Sequence, residues 1–218
     1  MRCLWSVGAE AVGCDSGVLL WEVGHIVTFY MRGEHNRVVQ QDGWTITSVH
    51  GNIRIPADKL LTVNDTSAVT EPVDWVIVAL KSSSLEAIPD MIFHMLTPNT
   101  RVLVIMNGLV EDDLIRMLKE RAGETDLEGP LQCCGALYGG MALICANRLA
   151  PGRVDHSYAG LLAAGVACSR TEDPAQDQAA FEDLWAPSLV KTSYEPCLLR
   201  GRWKKMVWNL PFNGISVA

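Results

Sequence analysis

Lys205, Asn209 and Asn213 recur at four-residue intervals inside RWKKMVWNLPFNGIS, at 202–216. On a helix that spacing puts a cation and two amides on one face. Such a face suits a small polar anion. A lysine there can polarise a carbonyl oxygen and deliver a proton to it, provided that its site lowers its pKa toward neutrality. Lys81 and Asn107 stand immediately after two apolar runs, VDWVIVAL at 73–80 and RVLVIM at 101–106. Side chains in those places belong to the ends of buried strands, where open α/β sheets hold their ligands. Taken singly, each feature has a plain alternative. Lys204-Lys205 can be a basic helix end, and Asn107-Gly108 a strand-to-helix turn.

The elements that must position these residues read as alternating strands and helices. Residues 2–7 form an apolar strand, 8–13 a Gly-rich turn, and Val18–Val23 a helix stopped by Gly24. Residues 26–31 form a second strand. Two short strand-like runs flank Gly51-Asn52 within 44–63. Residues 82–96 read as a helix started or kinked at Pro89, and 110–121 as an amphipathic helix with acids first and bases last. The stretch 131–167 reads as several strands with turns at Gly139-Gly140 and Pro151-Gly152. Helices at 174–186 and 197–218 and a strand at 189–193 complete the chain. This alternation predicts an α/β class, a doubly wound Rossmann-like domain over residues 1–193 followed by the beginning of an all-helical part at 194–218.

The turn G-A-E-A-V-G at 8–13 sits where a dinucleotide pyrophosphate meets the first helix of such a fold. Gly8, Ala9, Glu10, Ala11, Val12 and Gly13 are therefore candidate cofactor residues. Glu10 replaces the middle glycine of G-x-G-x-x-G. At about 5 Å and an effective dielectric of ~20, its carboxylate opposes a phosphate by roughly 3 kcal/mol. A turn that binds nothing is the competing reading. Arg32 ends the second strand, 19 residues after Gly13. A base there suits a ribose 2′-phosphate, hence NADP, although Glu34 follows closely and a solvated loop arginine is the plain alternative.

VDWVIVALKS, VLVIMNGL, APGRVDH and RWKKMVWNLPFNGIS follow the Gly-rich turn in an order that resembles the 2-dehydropantoate 2-reductase (ketopantoate reductase) family. The resemblance covers nearly the whole chain. It implies NADPH-dependent reduction of 2-dehydropantoate to pantoate, in pantothenate and coenzyme A biosynthesis. Lys205 matches the catalytic lysine. Asn209, Asn213 and Asn107 match substrate-binding positions, and Arg32, Lys81 and Asn107 match cofactor positions. The family's helical domain continues beyond this asparagine helix and supplies a serine and an acid that have no counterpart here, so the chain reads as truncated. A degenerate, non-catalytic relative acting by association, or a reductase of another small 2-oxo acid, is the alternative.

Composition bounds the rest. Eighteen Lys and Arg against 25 Asp and Glu give a net charge of −7, which disfavours a basic nucleic-acid binder. No apolar run reaches the roughly 18 residues that span a bilayer. Neither the amino-terminal stretch nor the seven cysteines suggest export. The expectation is a cytoplasmic protein with buried, reduced thiols, no metal, and no nucleic-acid or membrane partner. The apolar residues of the last helix (Leu198, Leu199, Met206, Leu210, Phe212 and Ile215) need a cover, and a second copy of the chain is one candidate.

Overall fold

The computed structural model describes residues 1–8, 11–49, 51–126 and 129–215, with the side chains of 11–15, 159 and 212–215 outside that description. The chain runs through β1 (Cys3–Val7), α1 (Ala11–Glu22), β2 (Ile26–Tyr30), α2 (Gly33–Asp42), β3 (Trp44–Ser48), β4 (Ile53–Ile55), β5 (Leu61–Val63), β6 (Trp75–Val78), α3 (Ile88–Ile92), β7 (Arg101–Ile105), α4 (Glu111–Ala122), β8 (Ala136–Ala150), β9 (Arg153–Ser169), α5 (Pro174–Trp185), β10 (Lys191–Tyr194) and α6 (Leu198–Ile215). The strands form one sheet in the order β4-β3-β9-β8-β7-β6-β1-β2-β5, with β10 beside β9.

Six neighbours, β5-β2-β1-β6-β7-β8, pair in parallel. Read along the sheet they give the strand order of a dinucleotide-binding fold. Alternate residues of these strands enter opposite cores. Leu4, Ile77 and Leu103 face α1 and α5, whereas Trp5, Val76 and Val102 face α3 and α4. Burial on both faces is why these strands read as unbroken apolar runs.

The remainder of the sheet is antiparallel at two places. β8 and β9 form a long ribbon closed at Pro151-Gly152, with several register shifts, and β3 pairs with β4. Register shifts bend a ribbon and increase its twist. The ribbon curls back over the face that carries α1. As a result Trp44 of β3 meets Phe29 of β2, with ring centroids 5.0 Å apart, although five strands separate β3 from β2 in the sheet order.

Four expectations need correction. Gly139-Gly140 is not a turn but lies inside β8. The two runs around Gly51-Asn52 are β3 and β4, but Leu61–Val63 forms a third strand on the opposite edge. The 82–96 helix is broken: 3-10 turns at Ser82–Ala87 and Phe93–Met95 flank α3, with Pro89 in its first turn. Finally, α2 lies where no helix is expected. Its sequence, GEHNRVVQQD, is almost wholly polar, and its buried side includes His35 and Asn36 beside Val39.

The cysteines described are free, but Cys3, Cys145 and Cys197 are exposed rather than buried. Among the described residues, no helix is long and apolar enough to cross a membrane.

Candidate active site

Gly8 closes β1 with φ +120°, and a Cβ on it would run into the backbone carbonyl of Ala79. Only glycine fits there, because the turn packs directly on the backbone at the end of β6. Ala11, Val12 and Gly13 form the first turn of α1, so the amino end of that helix follows the turn directly. Ala9 and Glu10 lie outside the described residues. The third glycine of the fingerprint is expected to serve close helix-to-strand packing. Gly17 also does so, since a Cβ on it would press on the Phe29 ring and on Ser6.

Two adjoining clefts open at the carboxyl ends of the parallel strands. The first, ≈ 250 Å³, is lined by Gly8, Arg32, His35, Lys81 and Arg148 among others. The second, ≈ 600 Å³, is lined by Lys81, Asn107, Lys205 and Asn209 among others. Leu80, Lys81 and Ser83 line both, so a single trough leads from Arg32 to Lys205. Asn107, Lys205 and Asn209 also share a smaller recess of ≈ 80 Å³ with Arg202. Of the residues singled out in the sequence, Lys81, Asn107, Lys205 and Asn209 thus come together, with Gly8 and Arg32 at the other end. Asn213 lies one turn beyond Asn209 on α6, and its side chain is outside the description.

The position of α6 is set by its first two turns. Gly139 and Gly165 face each other across the β8–β9 ribbon; a Cβ on Gly139 would strike Leu198, and one on Gly165 would strike the Glu195 carbonyl and crowd Leu198. The paired glycines form a notch that seats the start of the helix. Gly201 then lies against Met141, whose thioether end would have to shift to admit a side chain. Arg202 completes the attachment. Its Nη1 donates to the carbonyls of Met106 (2.6 Å) and Gly140 (3.1 Å), and its Nη2 pairs with the Glu111 carboxylate at the start of α4. The Arg202 and Glu111 side chains are only 4% and 6% exposed, so this ion pair is fully inside the protein.

Lys205 follows Arg202 by one helical turn. Burial, reinforced by the Arg202 charge, lowers its pKa to about 8. An ammonium in that range is charged at neutral pH yet gives up its proton readily. From Trp203 onward α6 is open on its outer face, where Trp203, Val207, Trp208 and Leu210 are all exposed.

At the other end of the trough, Arg32 caps α2 without a side-chain capping bond and lies over the Tyr30 ring. Glu34 turns away to Arg37, at 3.6 Å. Its carboxylate therefore has a cation of its own. Arg202, Glu111, His35 and Arg148 are site residues that the sequence reading does not name. Arg202 alone had a visible signal, being three residues before Lys205 on the same helix face.

A family model described as "Ketopantoate reductase PanE/ApbA" matches residues 5–167. A curated 2-dehydropantoate 2-reductase from Nostoc sp. (strain PCC 7120) is 28% identical over 216 residues, covering 97% of this chain and 62% of the relative. The crystal structure of 2-dehydropantoate 2-reductase from Geobacter metallireducens GS-15 superposes with a TM-score of 0.80 at 25% identity, over 98% of this chain and 64% of that one. D-mandelate dehydrogenase, solved with NADH and anilino(oxo)acetate, has the same fold, with a TM-score of 0.76 at 20% identity over 96% of this chain and 61% of its own. The chain spans about three-fifths of the length of these relatives.

Proposed function

The chain belongs to the ketopantoate reductase family, and from that premise we propose that it reduces 2-dehydropantoate to pantoate with NADPH, as a cytoplasmic enzyme of pantothenate and coenzyme A biosynthesis. The observation that carries this reading is the meeting of Lys205, Asn209, Asn107 and Lys81 in one cleft at the strand ends. Residues 1–193 serve as the cofactor domain and 194–218 as the start of the helical part.

Apart from Glu10, the residues present fit a nicotinamide dinucleotide. Gly8 lines the cleft just before the start of α1, where a pyrophosphate would sit, and Arg32 stands where the adenosine ribose of this fold lies. When bound, the nicotinamide supplies the hydride for the carbonyl carbon. The protein's own residues do the rest. Lys205 donates a hydrogen bond to the carbonyl oxygen, stabilises the charge developing there, and delivers the proton from its Nζ. Asn209 and Asn213 hold the substrate's carboxylate and hydroxyl, while Asn107 and Lys81 line the boundary between substrate and cofactor.

Calorimetric titration with NADPH and NADH, followed by a turnover assay with 2-dehydropantoate, tests this reading. Micromolar binding of NADPH, much weaker binding of NADH, and turnover of the oxo acid are expected. Failure of both nucleotides at millimolar concentration would overturn it. That result would favour a second reading resting on Glu10, in which the turn keeps its fold but repels the pyrophosphate and the chain acts by association. The homodimer expected through α6 is checked by light scattering of the purified chain. A strict monomer rules it out.

A further inference from the structure

The first cleft holds more than the sequence assigns to it. Arg32 and Lys81 reach it from the ends of β2 and β6, and Arg148 reaches it from the far end of the β8–β9 ribbon. Three cations from three separate elements thus border one cleft of a chain whose net charge is −7. No carboxylate is among the described residues that line it. The amino end of α2, with no side-chain cap, opens at the same edge, where helix N–H groups favour an anion.

His35 adds an independent observation. It lines the cleft, is 93% buried, and packs edge-on to Trp44. Its Nδ1 accepts the Gly152 N–H at 3.2 Å, so in the neutral ring the proton resides on Nε2. Burial, aided by the Arg148 charge, lowers its pKa to about 4, which keeps the ring neutral under ordinary conditions. That Nε2 is buried and has no partner among the described residues. A buried donor left unmatched is costly unless a ligand supplies the acceptor.

We infer that Arg148 and His35 complete, with Arg32, a binding site for a phosphomonoester dianion, so that the curled ribbon sets the preference for the 2′-phosphorylated dinucleotide. This rests on the dinucleotide reading above. Arg148 supplies the charge that Arg32 alone cannot close around a dianion, and the His35 Nε2–H gives a directional bond to one phosphate oxygen. Because Gly152, at the ribbon's turn, is held by the same imidazole, the ring ties the ribbon to the phosphate. A position that chooses between the two nicotinamide dinucleotides is thereby moved onto an element outside the parallel strands.

The test is calorimetric binding of NADPH, NADH, adenosine 2′,5′-bisphosphate and adenosine 5′-monophosphate to the chain and two variants. Arg148 is exposed, and the ratio of the two dinucleotide affinities separates the effect of Arg148→Gln on the phosphate from any effect on the fold. Loss of one charge-assisted contact of about 1.5–3 kcal/mol weakens NADPH and the bisphosphate by roughly 10–100-fold, with NADH and the monophosphate unchanged. His35→Phe keeps the aromatic contact with Trp44 and lowers the NADPH-to-NADH affinity ratio, and His35→Gln restores part of it through its amide donor. Reading the ratio removes any general loss of folded protein, which lowers both affinities together. An unchanged ratio in Arg148→Gln, or an equal fall for both dinucleotides, overturns the inference. Equal affinity of the unaltered chain for NADPH and NADH also overturns it while leaving the dinucleotide reading intact. Binding of none of the four probes removes both.

Discussion

Lys205→Ala is expected to lower kcat for the oxo acid by about 10²–10⁴-fold, the usual contribution of a positioned general acid, while leaving NADPH affinity nearly unchanged. The separation follows from the trough. Lys205 lies in the 600 Å³ cleft with Asn107 and Asn209, at the opposite end from Arg32. A pH series gives a second readout. Burial and the neighbouring Arg202 lower the lysine's pKa to about 8. The group is charged, and able to donate, below that value and neutral above it. Turnover therefore falls as pH rises through about 8, with no corresponding loss on the acid side from this residue. Turnover that survives the alanine change, or an alkaline limb that persists unchanged in that variant, would show that another group delivers the proton.

The second large effect belongs to the Arg202–Glu111 pair. Arg202→Met strands a carboxylate that is 6% exposed and leaves two carbonyls without their donor. Removing one member of a buried ion pair typically costs about 3–5 kcal/mol. Glu111→Gln is expected to cost a comparable amount, because the guanidinium then keeps its charge without a counterion. The double variant should cost clearly less than the sum, since no charge remains buried and unpaired. Denaturant midpoints of the four proteins measure this, and strictly additive losses would mean that the two groups are not coupled. Arg202→Met also withdraws a positive charge from beside Lys205. The alkaline limb of the turnover profile should then move to higher pH, but only partly, because burial is the larger cause of the lowered pKa.

How far the sequence reveals all this depends on the range over which its residues act. The parallel strands are legible because both faces are buried, so VDWVIVAL and RVLVIM announce themselves. That Lys205 and Asn209 share a helix face is legible because a helix fixes their relation within one turn. The motif resemblance agrees with the family that the matched model identifies. α2 is not legible: its polar sequence lacks an apolar stripe, and it is held by what covers His35 and Asn36. Gly139-Gly140 carries the composition of a turn. Its actual role, leaving room for Leu198, depends on Gly165 across the ribbon and on a helix some sixty residues later. Arg202 and Glu111 lie 91 residues apart, and Arg148 comes to line one cleft with Arg32 because the ribbon curls. Pairings made by curvature leave no local periodicity to read.

The seat of α6 also governs how accurately each residue on that helix is held. Leu198, Gly201 and Arg202 fix its origin and its rotation. Any residual tilt about that point displaces later residues in proportion to their distance along the axis. At about 1.5 Å per residue, Lys205 is roughly 4.5 Å from Arg202, Asn209 about 10.5 Å, and Asn213 about 16.5 Å. A tilt that shifts the lysine by a tolerable amount moves the last asparagine nearly four times as far. On the proposed assignment, proton delivery would be aligned by the sheet itself, whereas discrimination among oxo acids would inherit its tolerance from whatever steadies the far half of the helix. On that assignment the same lever would make substrate choice easier to change than the chemistry, because a small reorientation at the seat is larger at the asparagines than at the lysine.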